Sequence, residues 1–297
     1  MFGIKRLIAT LACLTVLTAA GRGAGRTLVF TTIDFPGATL TNAQGINAGG
    51  EIVGAYNDSG TPSKTHGFLL SGGQYYSIDF PEARATIARG IGPEGDIVGS
   101  YQRTDESGGV PAHGFLRNNR GEYFKVDYPG HLNTIAQRIL PDGTILGCYH
   151  DADTMGSMHG MVMSPGQGFA SIPEGMSMHN GATPNGSLIV GLFTDMDGRG
   201  KGYFVNRGRF EPFEVPGAVS TAAWDINQAG VAVGVYRDAA GFHGFQFDGT
   251  DFGRIDFPGA TATRVFGINA RGDMVGSYVD GSGRTHGFIA HWGPGEE

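Results

Sequence analysis

The sequence predicts an all-β chain made of six copies of one four-stranded unit. Three observations carry this. Glycine is too frequent for helices, one set of motifs recurs six times in register, and the chain ends hold complementary parts of a single unit.

Glycine accounts for 52 of 297 residues and interrupts nearly every ten-residue stretch. Each costs about 1 kcal/mol in a helix interior, so long helices are excluded. The glycines do not fall on every third residue, which excludes a collagen-like strand. A hydrophobic content of 40% argues against disorder. The length suits one large β domain.

The repeat opens on an acidic-apolar-Pro turn: Asp34-Phe35-Pro36, Asp79-Phe80-Pro81, Asp127-Tyr128-Pro129, a worn Ser171-Ile172-Pro173, Glu214-Val215-Pro216 and Asp256-Phe257-Pro258. A hydroxyl follows at Thr41, Thr86, Thr134, Ser177, Thr221 and Thr263. Eighteen residues after each proline stands a glycine: Gly54, Gly99, Gly147, Gly191, Gly234 and Gly276. Then comes His-Gly-aromatic, as at His66-Gly67-Phe68 and His243-Gly244-Phe245, with His159-Gly160-Met161 and Lys201-Gly202-Tyr203 as departures.

In the first unit the four strands are expected at 41–47, 51–56, 66–71 and 75–80, separated by turns such as Asn47-Ala48-Gly49-Gly50 and Ser71-Gly72-Gly73. The strands are apolar on both faces and need cover on both sides. Four strands per 40–50 residues is the signature of a β-propeller blade. Residues 27–35 read as a fourth strand lacking its first three, and the chain finishes after a third strand near Trp292. The expected fold is therefore a six-bladed β-propeller whose N-terminal strand completes the last blade and removes the open edges.

The repeat resembles the bacterial extracellular repeat family of the HAF type, with His-Gly-Phe in place of His-Ala-Phe and a Gly-Ile-Asn-x-x-Gly-x-Ile-Val-Gly-x-Tyr block at 45–56. The resemblance covers residues 27–292. It implies export and a propeller-like fold, and brings no catalytic residue with it.

Residues 1–20, with Lys5 and Arg6 before an apolar run, have the layout of a secretory signal peptide. The run is too short to span a bilayer. Residues 21–297 then form a single domain, secreted or periplasmic and monomeric. Its net charge is 19 − 28 = −9, which repels nucleic acid and anionic lipid. Cys148 is left without a partner for a disulfide.

The recurrent His and Asp residues read as a hydrogen-bond device within each blade, with Asp58, Asp151, Asp238 and Asp280 as partners, because one-per-blade positions do not converge on one ion. Recognition is expected where copies differ. The loops between second and third strands vary in length and hold Asp105, Glu106, His150, Asp151, Asp153, Asp195, Asp197 and Arg199. One slot on the first strands varies as Gln44, Arg89, Gln137, Asn180, Trp224 and Phe266, and makes Arg89 and Trp224 candidates at the channel mouth. Such a mixture suits a glycan or a peptide.

No nucleophile or phosphate-binding motif stands out. The first reading is a binding module for a glycan, peptide or protein, without a required cofactor. Alternatives are a carbohydrate-active hydrolase or lyase with carboxylates at the channel mouth, and a periplasmic copper protein. Copper would be held by Met155, Met158, Met176, Met178 and His179, read as loop residues with soft donors. Asp195-Met196-Asp197 resembles a fragment of a calcium loop.

Overall fold

The computed structural model describes residues 27–103, 112–131, 133–151, 157–171 and 176–293. The described residues form 24 β-strands and no α-helix. Strand β1 (Leu28–Ile33) stands alone at the start. The first unit is β2 (Leu40–Ile46), β3 (Ile52–Asn57), β4 (Thr65–Ser71) and β5 (Gln74–Ile78), within two residues of the expected bounds. The second is β6 (Ala83–Ile91), β7 (Ile97–Arg103), β8 (His113–Arg117) and β9 (Tyr123–Val126). The third is β10 (Asn133–Ile139), β11 (Ile145–His150), β12 (Met158–Ser164) and β13 (Gly168–Ser171). The fourth is β14 (Ser177–Ala182), β15 (Leu188–Thr194), β16 (Gly200–Asn206) and β17 (Arg209–Phe213). The fifth is β18 (Ser220–Ile226), β19 (Ala232–Arg237), β20 (Phe242–Phe247) and β21 (Phe252–Ile255). The last has β22 (Ala262–Ile268), β23 (Met274–Val279) and β24 (Thr285–Trp292).

Units three, four and five are each one four-stranded antiparallel sheet, and β1 joins β22–β24 as a fourth. Units one and two share an eight-stranded sheet, joined through a single parallel pair, Thr65 with Ala85. Strand β1 pairs with β24 in unbroken register from Leu28 opposite Trp292 to Ile33 opposite Gly287. Each sheet packs its face on the next, and β2 packs on β22, β23 and β24. Apolar residues of neighbouring units share the cores between them, as where Val53 meets Ile78, Ile97 and Phe115.

The invariant glycine of β3 and its equivalents marks a close approach. A Cβ on Gly54 would stand 2.1 Å from the Asn42 carbonyl oxygen and 2.6 Å from the Phe68 ring. On Gly234 it would stand 2.1 Å from the Ala222 oxygen. The ring of the His-Gly-Phe motif lies over this backbone, so the two motifs specify one contact.

The first strands all bulge at one register position, between Ala43 and Gly45, Ala88 and Gly90, Ala136 and Arg138, His179 and Gly181, Ala223 and Asp225, and Val265 and Gly267. Just beyond the bulge an asparagine links one unit to the next. Asn47 donates to the Gly92 carbonyl, Asn227 to that of Asn269, and Asn269 to that of Asn47. The link from last unit to first therefore uses the same contact as the links along the chain.

Candidate functional site

Four of the six bulge positions are glycines, 45, 90, 181 and 267, and the other two are Arg138 and Asp225. The glycines are pressed together: a Cβ on Gly45 would stand 2.7 Å from the Arg89 oxygen, and one on Gly181 2.6 Å from Asp225 Oδ1. Into the space left by the missing side chains goes one guanidinium. Arg138 Nη1 donates to the carbonyls of Arg89 (2.7 Å) and Gln137 (2.9 Å), and Nη2 to those of Gln44 (3.1 Å) and Phe266. Its Nε lies 3.3 Å from Asp225 Oδ2. The carboxylate also accepts the backbone N–H groups of Ile226 (3.0 Å) and Ile268 (3.1 Å). Burial pushes the Asp225 carboxyl above its ordinary range, and the Arg138 charge opposes that. One buried ion pair thus ties first strands of five units at the point where the sheets converge.

On the turn side of this pair lies a cavity of ≈ 280 Å³ whose wall includes Ile46, Ile91, Ile139, Ile226 and Ile268, with Arg138 and Asp225 also lining it. On the other side lie the variable slots. Gln137 Nε2 donates to Asn180 Oδ1 (3.2 Å), and Asn180 Nδ2 to the Ala223 carbonyl (2.8 Å). Trp224 and Phe266 meet edge to face at 5.0 Å. Gln44, Gln137, Asn180 and Phe266 are buried, whereas Arg89 and Trp224 keep exposed surface. The half-polar, half-aromatic grouping expected from the sequence is therefore present, with Arg89 and Trp224 half-buried, and burial pushes the Arg89 guanidinium pKa down to about 10.

No family model and no curated protein matches the sequence. Solved structures do. TolB from Acinetobacter baumannii superposes with a TM-score of 0.54 at 14% identity, over 83% of this chain and 64% of that one. The chain thus spans somewhat less than two thirds of that protein. The β-propeller domain of the Trilobed protease from Pyrococcus furiosus gives 0.52 at 9% identity, over 87% and 98%. A fucose-specific lectin from Aleuria aurantia gives 0.51 at 12%, over 88% and 97%. The chain is a β-propeller.

In this propeller the recurrent histidines are held between two acids. His243 Nδ1 lies 2.9 Å from Asp256 and Nε2 3.2 Å from Asp238. His66 sits between Asp79 (2.9 Å) and Asp58 (3.4 Å), and His286 between Asp34 (2.7 Å) and Asp280 (3.2 Å). The loop acids are those expected, but the second partner, the Asp of the Asp-x-Pro turn, was not. In the fourth unit Lys201 replaces the histidine and still bridges Asp195 (3.3 Å) and Glu214 (3.9 Å). The recurrent hydroxyl also acquires a role: Thr41 accepts the N–H of Phe35, and Thr86, Thr134, Thr221 and Thr263 do the same in their turns. Within the turn the aromatic ring stacks on the tyrosine of Gly-x-Tyr, as Phe35 does on Tyr56 at 3.6 Å and Phe257 on Tyr278 at 3.6 Å.

These contacts occupy several sequence-predicted site residues. Asp151 is clamped between His131 (3.0 Å) and His159 (2.7 Å). Asp195 Oδ1 accepts the N–H groups of Asp197 and Arg199, while Oδ2 faces Lys201. Those N–H groups and Lys201 hold its carboxyl below the ordinary range. Arg199 reaches Glu214 (3.5 Å) and the Ala218 carbonyl. Asp197 is exposed. Asp105, Glu106, Asp153 and Met155 lie outside the described residues.

His150, Met158, Met178 and His179 are not loop residues. His150 ends β11, Met158 opens β12, and Met178 and His179 lie on β14, all buried. Their period-two alternation within short strands was masked by neighbouring methionines, and cross-strand pairing turns them into the sheet. Met176 alone of the described metal candidates precedes its strand, half-buried. Arg138 and Asp225 were not anticipated. The available signal was the aligned bulge column, four glycines and two opposite charges.

Proposed function

We propose that the chain is an exported, closed six-bladed propeller of the HAF repeat type that serves as a binding module for a glycan or a peptide. Closure is supported by the β1–β24 ladder and by the Asn269–Asn47 link, which repeats the contact between successive blades. Export rests on residues 1–20, which lie outside the described residues.

The observation that carries the binding reading is the Arg138–Asp225 pair. It fills the axis with a salt bridge whose groups are engaged by backbone, leaving a scaffold with a mouth and no acid poised for chemistry there. A hydrolase or lyase of the two-carboxylate kind needs acids about 5–10 Å apart. Among the described residues lining the axial cavity, Asp225 is the one carboxylate, and Arg138 and two N–H groups hold it. On the other side the half-buried Trp224 ring is placed for stacking, and the half-buried Arg89, whose Nε already donates to Ser100 Oγ at 3.3 Å, for polar contact, the pairing of apolar face and placed donor that small-molecule sites use. The lectin neighbour is fucose-specific by its own description; here the sugar class is open to test.

Screening the labelled mature chain against glycan and peptide arrays, followed by calorimetry on each hit, tests the reading. Binding should fall by about tenfold or more in Trp224→Ala and Arg89→Ala, since each removes over about 1.4 kcal/mol of contact. Hits whose affinity is unchanged in both variants would move the site away from the mouth.

A further inference from the structure

The cavity on the turn side of the Arg138–Asp225 pair has walls unlike those of the mouth. The residue after the bulge is isoleucine in five units, at 46, 91, 139, 226 and 268, and Ala182 in the fourth. All six are buried, and all line the cavity. Register explains this collar, because each of them ends the ladder between first and second strands, as Ile46 does opposite Ile52 and Ala182 opposite Ile189. Two residues further on, Ala48, Pro93, Pro141, Pro184, Gln228 and Ala270 are exposed and form the lip. Three of them are prolines with a fixed φ, so the lip is formed before anything binds and little is lost in ordering it.

The floor is charged but balanced. Among the described residues lining the cavity, Arg138 is the one cation and Asp225 the one carboxylate. All five N–H groups of Arg138 are committed, Nη1 and Nη2 to carbonyls and Nε to Asp225. An ionised carboxylate has about two acceptor sites on each oxygen. Asp225 Oδ2 takes the Ile268 N–H and faces Arg138, whereas Oδ1 takes only the Ile226 N–H. The Asn47, Asn227 and Asn269 amides in the wall are spent on their links and turns. The floor can therefore accept one further hydrogen bond and donate none. A charged guest would leave one charge too many beside a pair already matched, which is costly out of water. A neutral donor fits.

Size limits the guest as well. The cavity of ≈ 280 Å³ is near the lower end of small-molecule sites, which begin at about 300 Å³. At about 30 Å³ for each non-hydrogen atom, the volume of a water molecule, it holds about ten. We propose that this cavity is a second binding site, for a small neutral alcohol whose aliphatic or alicyclic skeleton fills the isoleucine collar and whose hydroxyl donates to Asp225 Oδ1. The apolar skeleton leaves water for the collar, which supplies the affinity. The hydroxyl supplies the orientation.

Titration calorimetry on the mature protein tests this with 1-octanol and menthol as open-chain and cyclic probes. Heptyl methyl ether has the size of octanol without its donor, and octanoate and octylammonium carry the two charges. One equivalent of at least one alcohol should bind with a Kd below about 100 μM. The ether and both ions should bind at least about tenfold more weakly than octanol or menthol. Ala182→Ile installs the residue of the five sister units, completes the collar and should weaken alcohol binding by more than about tenfold. Leu140 packs on Ala182, so thermal unfolding checks that the larger side chain is accommodated, and Ile46→Phe narrows the same cavity from another unit with the same expected loss. Alcohol binding no tighter than about 100 μM, an ether or ion that binds as well, or affinity kept in both variants overturns the proposal. Glycan and peptide binding at the mouth is read on separate arrays with separate variants, so either site can fail alone.

Discussion

Asp34, in the turn after the first strand, lies with Oδ2 2.7 Å from Nδ1 of His286 near the end of the chain, 252 residues away. The same clamp closes within single units at His66–Asp79 (2.9 Å), His113–Asp127 (3.1 Å) and His243–Asp256 (2.9 Å). The ends of the chain are thus joined by the contact that elsewhere joins neighbours in sequence.

Asp34→Ala should accordingly destabilise as much as Asp256→Ala. Both partners are partly exposed, so the lost hydrogen bond is worth about 1–2 kcal/mol, or a fall of about 2–8 °C in Tm for a domain of this size. Calorimetry on the two variants checks it. A fall with Asp256→Ala and none with Asp34→Ala would mean that β1 is not docked in solution.

Arg138→Gly should cost about 3–5 kcal/mol, because it strands the buried Asp225 carboxylate. Replacing both, Arg138→Gly with Asp225→Gly, installs the residue of the four other bulges and should recover most of the loss. Urea unfolding of single and double variants reads this directly. An additive double variant would rule out the pair as a coupled unit.

Gly234→Ala would drive a methyl group to 2.1 Å from the Ala222 oxygen and 2.7 Å from the Phe245 ring. Backbone cannot yield there, and a loss above about 3 kcal/mol, or failure to fold, is expected. Gly281→Ala, with nothing within 4 Å of the added atom, should change Tm by under about 1 °C.

Acid should weaken the loop clamps. The Ala240 N–H, with Gly241 and His243 beside it, holds the Asp238 carboxyl below its ordinary range, and the Lys64 N–H with Gly60 and His66 does so for Asp58. A depressed folded pKa contributes stability that is complete above the unfolded value and is lost as pH falls through the folded one. The Tm gap between wild type and Asp238→Asn should therefore be full at pH 6–7, and shrink below about pH 4. A gap that stays constant down to pH 2 would assign the effect to packing alone.

Repetition made most of the fold readable along the chain. Six registers of Pro, Gly and His-Gly-aromatic marked the strands to within a couple of residues in the first unit, because each motif serves a contact inside one blade or with the next. The loop acids Asp58, Asp151, Asp238 and Asp280 could be paired with their histidines for the same reason. Asp79 and Asp256 escaped as the second partners, since their turn proline already explained the motif.

Local sequence settled what each unit must be: short strands apolar on both faces, a glycine under a ring, a hydroxyl holding a turn. Only tertiary structure decided what happens between distant copies. Arg138 and Asp225 look like two unrelated substitutions until the sheets bring their bulges to one axis, where a charge without its counterpart is costly and a pair is satisfied. Cys148 and Met158 likewise share one buried cluster because cross-strand register, which no single strand encodes, sets which side chains share a face.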